Sequence, residues 1–340
     1  MISGGVLASA QPIPYNPTSN SSLVVDQALI VTGEEIVELN QPGYPDQFSN
    51  AGINAGYPIS ADFSQAGFGD YSAHVVVEYD LIGGPALPPD VYVAGFDSNG
   101  TGAYWVNGTE TSIPDAQFLQ SINVSGSDIY LGGVDTSGNA AVWKNGAITI
   151  LAGGENGFAV STFLSGSTLY ATGYNGTNKA VEWLVQWDSN NNVTTNISTQ
   201  LDNGGEGASI FVSNGTVYVA GTNAQAKPTL WTGTVPTVLS SNFGSGTSVY
   251  ASGTHIYVSF YGSNAGYIWK DGIETQLQNI GHSAPNSIFV NGSDVYVTGV
   301  DNSHPVVWKN NVELPVLDQG NGGAGSGIAV NSVNGDVYVS

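Results

Sequence analysis

Residues 209–221 read SIFVSNGTVYVAG, and residues 230–239 read LWTGTVPTVL. The first stretch alternates apolar and polar residues, passes through an Asn-Gly turn and continues into a second apolar run that contains Tyr218. The other stretch carries Trp231, a turn with Gly and a short run that ends at Leu239. Alternation with a period of two, interrupted by tight turns, predicts four antiparallel strands, which we name a, b, c and d in chain order.

The same unit recurs along the chain with a period of about 40 residues, which is typical of propeller blades. The strand-b tyrosines are Tyr92, Tyr130, Tyr170, Tyr218, Tyr257, Tyr296 and Tyr338. The strand-c tryptophans are Trp105, Trp143, Trp183, Trp231, Trp269 and Trp308. Because the sequence ends two residues after the last tyrosine, the final unit contains strands a and b only.

The N-terminal region contains a match for the missing pair of strands. Residues 31–39, VTGEEIVEL, fit the frame of residues 231–239, WTGTVPTVL, with Val31 in the tryptophan position. The sequence therefore predicts an all-β fold: a seven-bladed β-propeller closed by N-terminal strands (c and d) that pair with the C-terminal strands (a and b). Such closure removes an exposed sheet edge.

Two segments fall outside the repeat. Residues 1–22 form a predicted extended N-terminal arm, residues 23–340 form the propeller, and residues 40–71 are a loop insertion within it. In a propeller the b-to-c and d-to-a connections emerge on one face, which we name the loop face. The arm and the insertion are both predicted to lie there.

The repeat pattern, [S/A]-I-x-V-x-G-x-D-V-Y-V-x-G followed by A-V-W-K-N-G, resembles the repeat propellers of bacterial secreted and surface proteins, which are distant from the WD40 and kelch types. The resemblance covers all the repeats. It implies a binding or scaffold module, since one fold hosts many activities. It supplies no set of catalytic residues.

Composition excludes several classes of protein. The 340 residues include five Lys and Arg against 27 Asp and Glu, for a net charge of −22, and no Cys. Such a polyanion cannot neutralise a phosphate backbone, so we expect no nucleic-acid partner. Disulfides and thiolate metal sites are excluded as well. No apolar run approaches the roughly 18 residues of a membrane span, so none is predicted.

Aromatic residues fall into two groups. The repeated Tyr and Trp positions are interpreted as packing between blades. The insertion carries aromatic residues outside the repeat, which either pack it onto the ring or form a contact surface for a partner or glycan. These candidate binding residues are Tyr44, Phe48, Tyr57, Phe63 and Phe68.

The d-to-a connections carry the candidate polar ligands. Glu155, Asp202, Glu206 and Asp318 are acidic residues in Gly-rich loops at the predicted channel mouth. They are interpreted as a solvated rim, with a cation or polyhydroxyl site, or an acid/base pair, as the alternatives. His282 lies in another of these loops and is the histidine that we regard as a candidate ligand.

Asp188, Asn190 and Asn192 match the first three ligand positions of an EF-hand loop. The match then fails, because the sixth position is not Gly and the twelfth is Thr199. Similar stretches, FDSNGTG (96–102) and VDTSGNA (134–140), have the composition of hairpin turns. We therefore favour turns, predict no cofactor and keep Ca²⁺ as the weaker alternative.

These observations favour a non-enzymatic binding propeller outside the cell that recognises a surface glycan or a protein receptor. Residues 1–10, MISGGVLASA, lack the basic region of a signal peptide. This favours equally a virion spike, decoration or tail-associated protein and an exported adhesin or envelope protein whose signal has been clipped. The rival functions are a carbohydrate lyase or glycosidase that uses the loop carboxylates, and a capsid or filament subunit. In the latter, residues 1–22 would bind other copies or a virion or envelope scaffold.

Overall fold

The computed structural model describes residues 31–32, 35–36, 74–78, 90–263, 265–278, 282–314, 323–330 and 337–339. These residues form β-strands and turns, and they include no helix. The predicted arm (1–22) and the predicted insertion (40–71) lie outside the described residues.

The strands follow in chain order and group into sheets. The N-terminal hairpin and the first three four-stranded sheets are β1 (Val31–Thr32) and β2 (Glu35–Ile36); β3 (His74–Glu78), β4 (Asp90–Phe96), β5 (Gly102–Val106) and β6 (Thr109–Ser112); β7 (Ala116–Ser125), β8 (Asp128–Asp135), β9 (Ala140–Lys144) and β10 (Ala147–Ile150); β11 (Phe158–Ser165), β12 (Thr168–Tyr174), β13 (Ala180–Trp187) and β14 (Val193–Gln200).

The second half of the chain continues the same order. Its three four-stranded sheets and the final pair are β15 (Glu206–Ser213), β16 (Thr216–Thr222), β17 (Pro228–Thr232) and β18 (Val235–Val238); β19 (Gly244–Ser252), β20 (His255–Gly262), β21 (Ala265–Lys270) and β22 (Ile273–Gln276); β23 (Ser283–Asn291), β24 (Asp294–Asp301), β25 (His304–Lys309) and β26 (Val312–Glu313); β27 (Ile328–Val330) and β28 (Val337–Val339).

Each four-stranded sheet is one propeller blade. Its strands pair antiparallel with their neighbours in chain order, as predicted for strands a to d. The a strands of successive blades contact one another, from β3 and β7 through to β23 and β27, so they form an inner ring. The d strands lie outside, where those of blades one, two, four and five are exposed along their whole length or nearly so. The chain is thus an all-β repeat propeller.

The last blade packs against the first. One core cluster joins Val93 and Trp105 of blade one, Phe289 of blade six, and Ile328 and Val330 of β27. Side chains therefore close the ring. The N-terminal hairpin pairs β1 with β2, as the repeat frame predicts. The pairing of this hairpin with β28 is not among the described pairings and stays a prediction.

The strand-c tryptophans tie neighbouring blades together. The indoles of Trp105, Trp143, Trp183, Trp231 and Trp308 are almost completely buried. Trp143 Nε1 donates to Asp115 Oδ1 at 2.8 Å, and Trp183 Nε1 donates to the carbonyl of Ala152 at 2.9 Å. Both acceptors lie in the d-to-a connection of the preceding blade. The interpretation of these residues as packing between blades is therefore correct.

The Ser of the repeat supplies a second contact between blades. Strand a has a β-bulge just before this Ser in blades two to six, at Ser121, Ser161, Ser209, Ser248 and Ser287. Ser121 Oγ accepts the backbone N–H of Thr162 in the next inner strand at 3.0 Å. Ser209 Oγ accepts that of Val249 in the same way, at 3.2 Å. The bulge thus aims a hydroxyl at the neighbouring blade.

The Gly at the end of the VYVAG motif faces this bulge. A methyl group at that position in blades two, three, four and six would lie between 1.9 and 2.1 Å from a carbonyl oxygen of strand a, at Gly133, Gly173, Gly221 and Gly299. These four blades therefore require Gly, because the two backbones approach too closely for a side chain.

Candidate functional site

The structure places three of the predicted acidic residues on the loop face. Glu155 is exposed in the connection from β10 to β11, and Asp202 is half-buried in the connection from β14 to β15. Glu206 begins β15 and is exposed, yet partial burial of its carboxyl raises its pKa. Asp318 and the insertion aromatics Tyr44, Phe48, Tyr57, Phe63 and Phe68 lie outside the described residues.

The predicted turn at Asp188 uses its carboxylate for the backbone. Asp188 Oδ1 accepts the N–H groups of Asn190 and Asn192 at 2.8 and 2.9 Å. Hydrogen bonds from Asn192 lower the pKa of Asp188. The turns at Asp97 and Asp135 repeat this arrangement. In the described ranges, no group of three or more His, Asp or Glu side chains is placed to hold a metal ion. These loops are thus hairpin turns.

Glu182 on β13 is a half-buried carboxyl whose burial raises its pKa above the ordinary value of 4.5. The folded state therefore favours the protonated form of Glu182. Glu182 contributes to the stability of the fold at low pH, and this contribution is lost as the pH rises through the raised pKa. We expect Glu182→Gln, which mimics the neutral acid, to be more stable than the parent at pH 7. The difference should disappear below pH 4.5.

Urea denaturation midpoints at neutral and acidic pH would measure this effect. Glu110→Gln on the exposed strand β6 is the matched control, because it removes the same charge from a solvated position. A stability gain that is the same for both variants would show that net charge, not burial of Glu182, is responsible.

A groove with a volume of about 600 Å³ opens between blades five and six. It lies on the loop face, since its walls come from b-to-c turns of blades four, five and six and from d-to-a connections. Its lining residues are Ala226, Phe243, Gly244, Tyr261, Ser263, His282, Ser283, Ala284, Val300, Asn302 and Ser303.

Two aromatic side chains in this groove face solvent. Phe243, in the connection before β19, is 74% exposed, and Tyr261, near the end of β20, is 42% exposed. By contrast, Phe260, the residue before Tyr261, is fully buried in the blade core, where it stacks on Tyr267. Phe243 and Tyr261 therefore present ring surface that the blade core does not use.

Hydrogen bonds hold Ser283 and the backbone at His282 and Asn302 in the groove wall. Ser283 Oγ accepts the backbone N–H of Gly266 at 2.7 Å, and the carbonyl of His282 accepts the N–H of Asn302 at 3.0 Å. The His282 side chain is exposed beside them. No Asp, Glu, Lys or Arg is among the lining residues. In a chain with a net charge of −22, the lining residues thus add no carboxylate, and the neighbouring Asp301 is buried.

The sequence identified His282 but missed the aromatic residues around it. The signal was a departure from the repeat. Blade five reads YVSFYG (257–262), with Phe260 where blades one to four and blade six have the Gly of VYVAG. Tyr261 follows directly, at the position that points to the groove wall. Phe243 lies in a loop with no periodicity, so its position depended on the tertiary structure.

No family model and no curated protein matches this chain. Among solved structures, BamB from Moraxella catarrhalis is 12% identical, with a TM-score of 0.42 over 80% of this chain and 96% of BamB. A prolyl endopeptidase is 10% identical, with a TM-score of 0.43 over 77% of this chain and 45% of that chain.

A chain from the S. cerevisiae complex of Dbp5 with Nup159, Gle1, IP6 and ADP is also similar in structure. It is 14% identical, with a TM-score of 0.41 over 73% of this chain and 83% of that chain. Among the described residues, no helix has the length and apolar character that a membrane crossing requires.

Proposed function

We propose that this propeller is a non-enzymatic recognition module that binds a surface glycan through the groove between blades five and six. The observation that carries the proposal is the pair of exposed rings, Phe243 and Tyr261, in an uncharged groove. Ligand sites of this kind combine apolar and aromatic walls with a few placed polar groups.

A sugar ring fits these walls chemically. Its C–H face packs against an aromatic face, while its hydroxyls both donate and accept hydrogen bonds. The Asn302 and Ser303 side chains at the groove supply amide and hydroxyl partners, and His282 supplies a ring nitrogen. Because the lining has no charged group, the expected ligand is a neutral glycan. A protein receptor is the other partner class considered for this face.

A binding role agrees better with this groove than hydrolysis does. Glycosidases use two carboxyl groups that flank the scissile bond. The groove lining contains none, and Glu155, Asp202 and Glu206 are not part of it. We therefore place the function in recognition.

The proposed location is outside the cell, on a virion or on a cell surface. The resemblance of the repeat to bacterial secreted and surface propellers supports this location. A strongly acidic chain also stays soluble and avoids phosphate backbones. A virion spike, decoration or tail-associated protein and a cell-surface adhesin remain the two forms of this proposal.

A glycan array tests the binding role. We expect the parent protein to bind a neutral glycan, and Tyr261→Ala and Phe243→Ala to weaken that binding about tenfold each, through lost stacking area. Ile273→Ala is the matched control: this side chain is 69% exposed on β22 of the same blade and lies outside the groove. Equal binding by all four proteins, or release of sugar products by the parent, would contradict the proposal.

A further inference from the structure

The outer strand of blade three, β14, differs from the other outer strands in length. It spans eight residues, whereas β6, β10, β18 and β22 span four residues each and β26 spans two. It pairs with β13 on its inner side and is the terminal strand of its sheet among the described pairings. Its other side is thus a long row of backbone N–H and C=O groups at the perimeter of the ring.

Each four-residue outer strand carries a feature that blocks pairing with another strand at its edge; these strands are β6, β10, β18 and β22. Glu110 on β6 and Glu274 on β22 place a charge on the edge, and Pro236 on β18 removes a donor. On β10, the carbonyl of Ile150 is already used, since it accepts a hydrogen bond from Asn196 Nδ2 at 2.8 Å. Natural sheets use such devices to prevent association.

Strand β14, VTTNISTQ, has none of these devices. It contains no charged residue, no Pro and no Gly. Its alternate residues face opposite sides. Asn196 points towards blade two, where it bonds Ile150. Ile197 is on the opposite side and is 53% exposed, between the half-buried Thr195 and Thr199.

We propose that β14 is a homodimer interface, in which it pairs antiparallel with β14 of a second copy about a two-fold axis at Ile197. When Ile197 of one chain lies opposite Ile197 of the other, Thr195 of each chain lies opposite Thr199 of its partner. Ile–Ile and Thr–Thr are favourable cross-strand pairs on one face. The strand is thus complementary to itself, which is the requirement for a two-fold interface.

Charge restricts where a second copy can approach. Two chains with a net charge of −22 repel each other over most of their surfaces. The edge of β14 carries no carboxylate, so two copies can approach there without placing like charges directly opposite. The proposal does not depend on the function proposed for the groove, which lies between blades five and six.

The absence of Cys from the chain allows a direct test. Directly opposite residues of antiparallel strands have Cα atoms roughly 4.5–5.5 Å apart, which is within the range of a disulfide. We expect Ile197→Cys to form a disulfide-linked dimer under mild oxidation. Val235→Cys on β18 is the matched control, because it is 65% exposed on an outer strand that Pro236 protects.

Sedimentation of the full-length protein provides a second measurement. We expect the parent to show a reversible dimer, and Ile197→Lys to weaken dimerisation about tenfold or more, since it places like charges opposite each other. Val235→Lys should dimerise as the parent does. The proposal is overturned if the parent stays monomeric at every concentration, or if the two cysteine variants cross-link at the same rate. Pairing of β14 with a different protein alone would also overturn it.

Discussion

Gly173→Ala is expected to destabilise the propeller by about 3 kcal/mol or more, because the added methyl group has no space. The new Cβ would lie 1.9 Å from the carbonyl oxygen of Phe158, on the strand that pairs with this position. To relieve this clash, the two strands would have to separate at the bulge. At the same bulge, Ser161 Oγ accepts a hydrogen bond from the backbone N–H of Ile210 in the next blade. The loss should therefore extend beyond one blade.

Urea denaturation followed by tryptophan fluorescence would measure this loss. Gly166→Ala is the matched control in the same blade. Gly166 has a φ of +59°, and a methyl group added there would have no atom within 4 Å. Gly166→Ala should therefore lose only about 1 kcal/mol, the cost of placing Ala in the left-handed backbone conformation. Similar losses for both variants would show that backbone conformation, not the close approach of strands, accounts for the Gly of the repeat.

Trp143→Ala is expected to cost about 4 kcal/mol, since it empties a large site in the core between blades one and two. The indole is completely buried and packs in one cluster with residues of both blades, including Tyr92 and Leu131. Its Nε1 also donates to Asp115. The free energy of unfolding from urea denaturation is the appropriate measurement.

Substitution by Phe separates the hydrogen bond from the packing. Trp143→Phe loses the bond to Asp115, whereas Trp231 is equally buried and its Nε1 has no partner within the described part of the chain. We expect Trp143→Phe to be less stable than Trp231→Phe by about 1 kcal/mol. Equal losses would mean that the bond to Asp115 contributes little to stability.

Several residues of the repeat could be assigned from the sequence because their roles are local or recur in every blade. Alternation predicts the strands, and Asn-Gly and Asp-containing stretches predict the turns, as the backbone hydrogen bonds to Asp188 show. The recurrence of Trp143 and its equivalents predicts packing between blades, which their burial bears out. The sequence also singled out His282 as a candidate ligand, and this assignment stays a prediction.

Other features could not be predicted, because they depend on segments far apart in the chain. The groove joins Ala226, Phe243, Tyr261, His282 and Asn302, which come from connections and one strand end around three blades. No spacing rule relates them. The bulge that makes Gly173 necessary is likewise a matter of strand register, which alternation alone does not specify.

The amino-acid sequence by itself determined the repeat, the all-β fold and the order of strands within a blade, since turn chemistry and alternation act between near neighbours. The tertiary structure alone decided which side chains remain exposed after the blades pack. Exposure of Phe243, Tyr261 and Ile197 follows from what the adjacent blade does or does not cover. The two surfaces proposed here for binding are therefore properties of the closed ring.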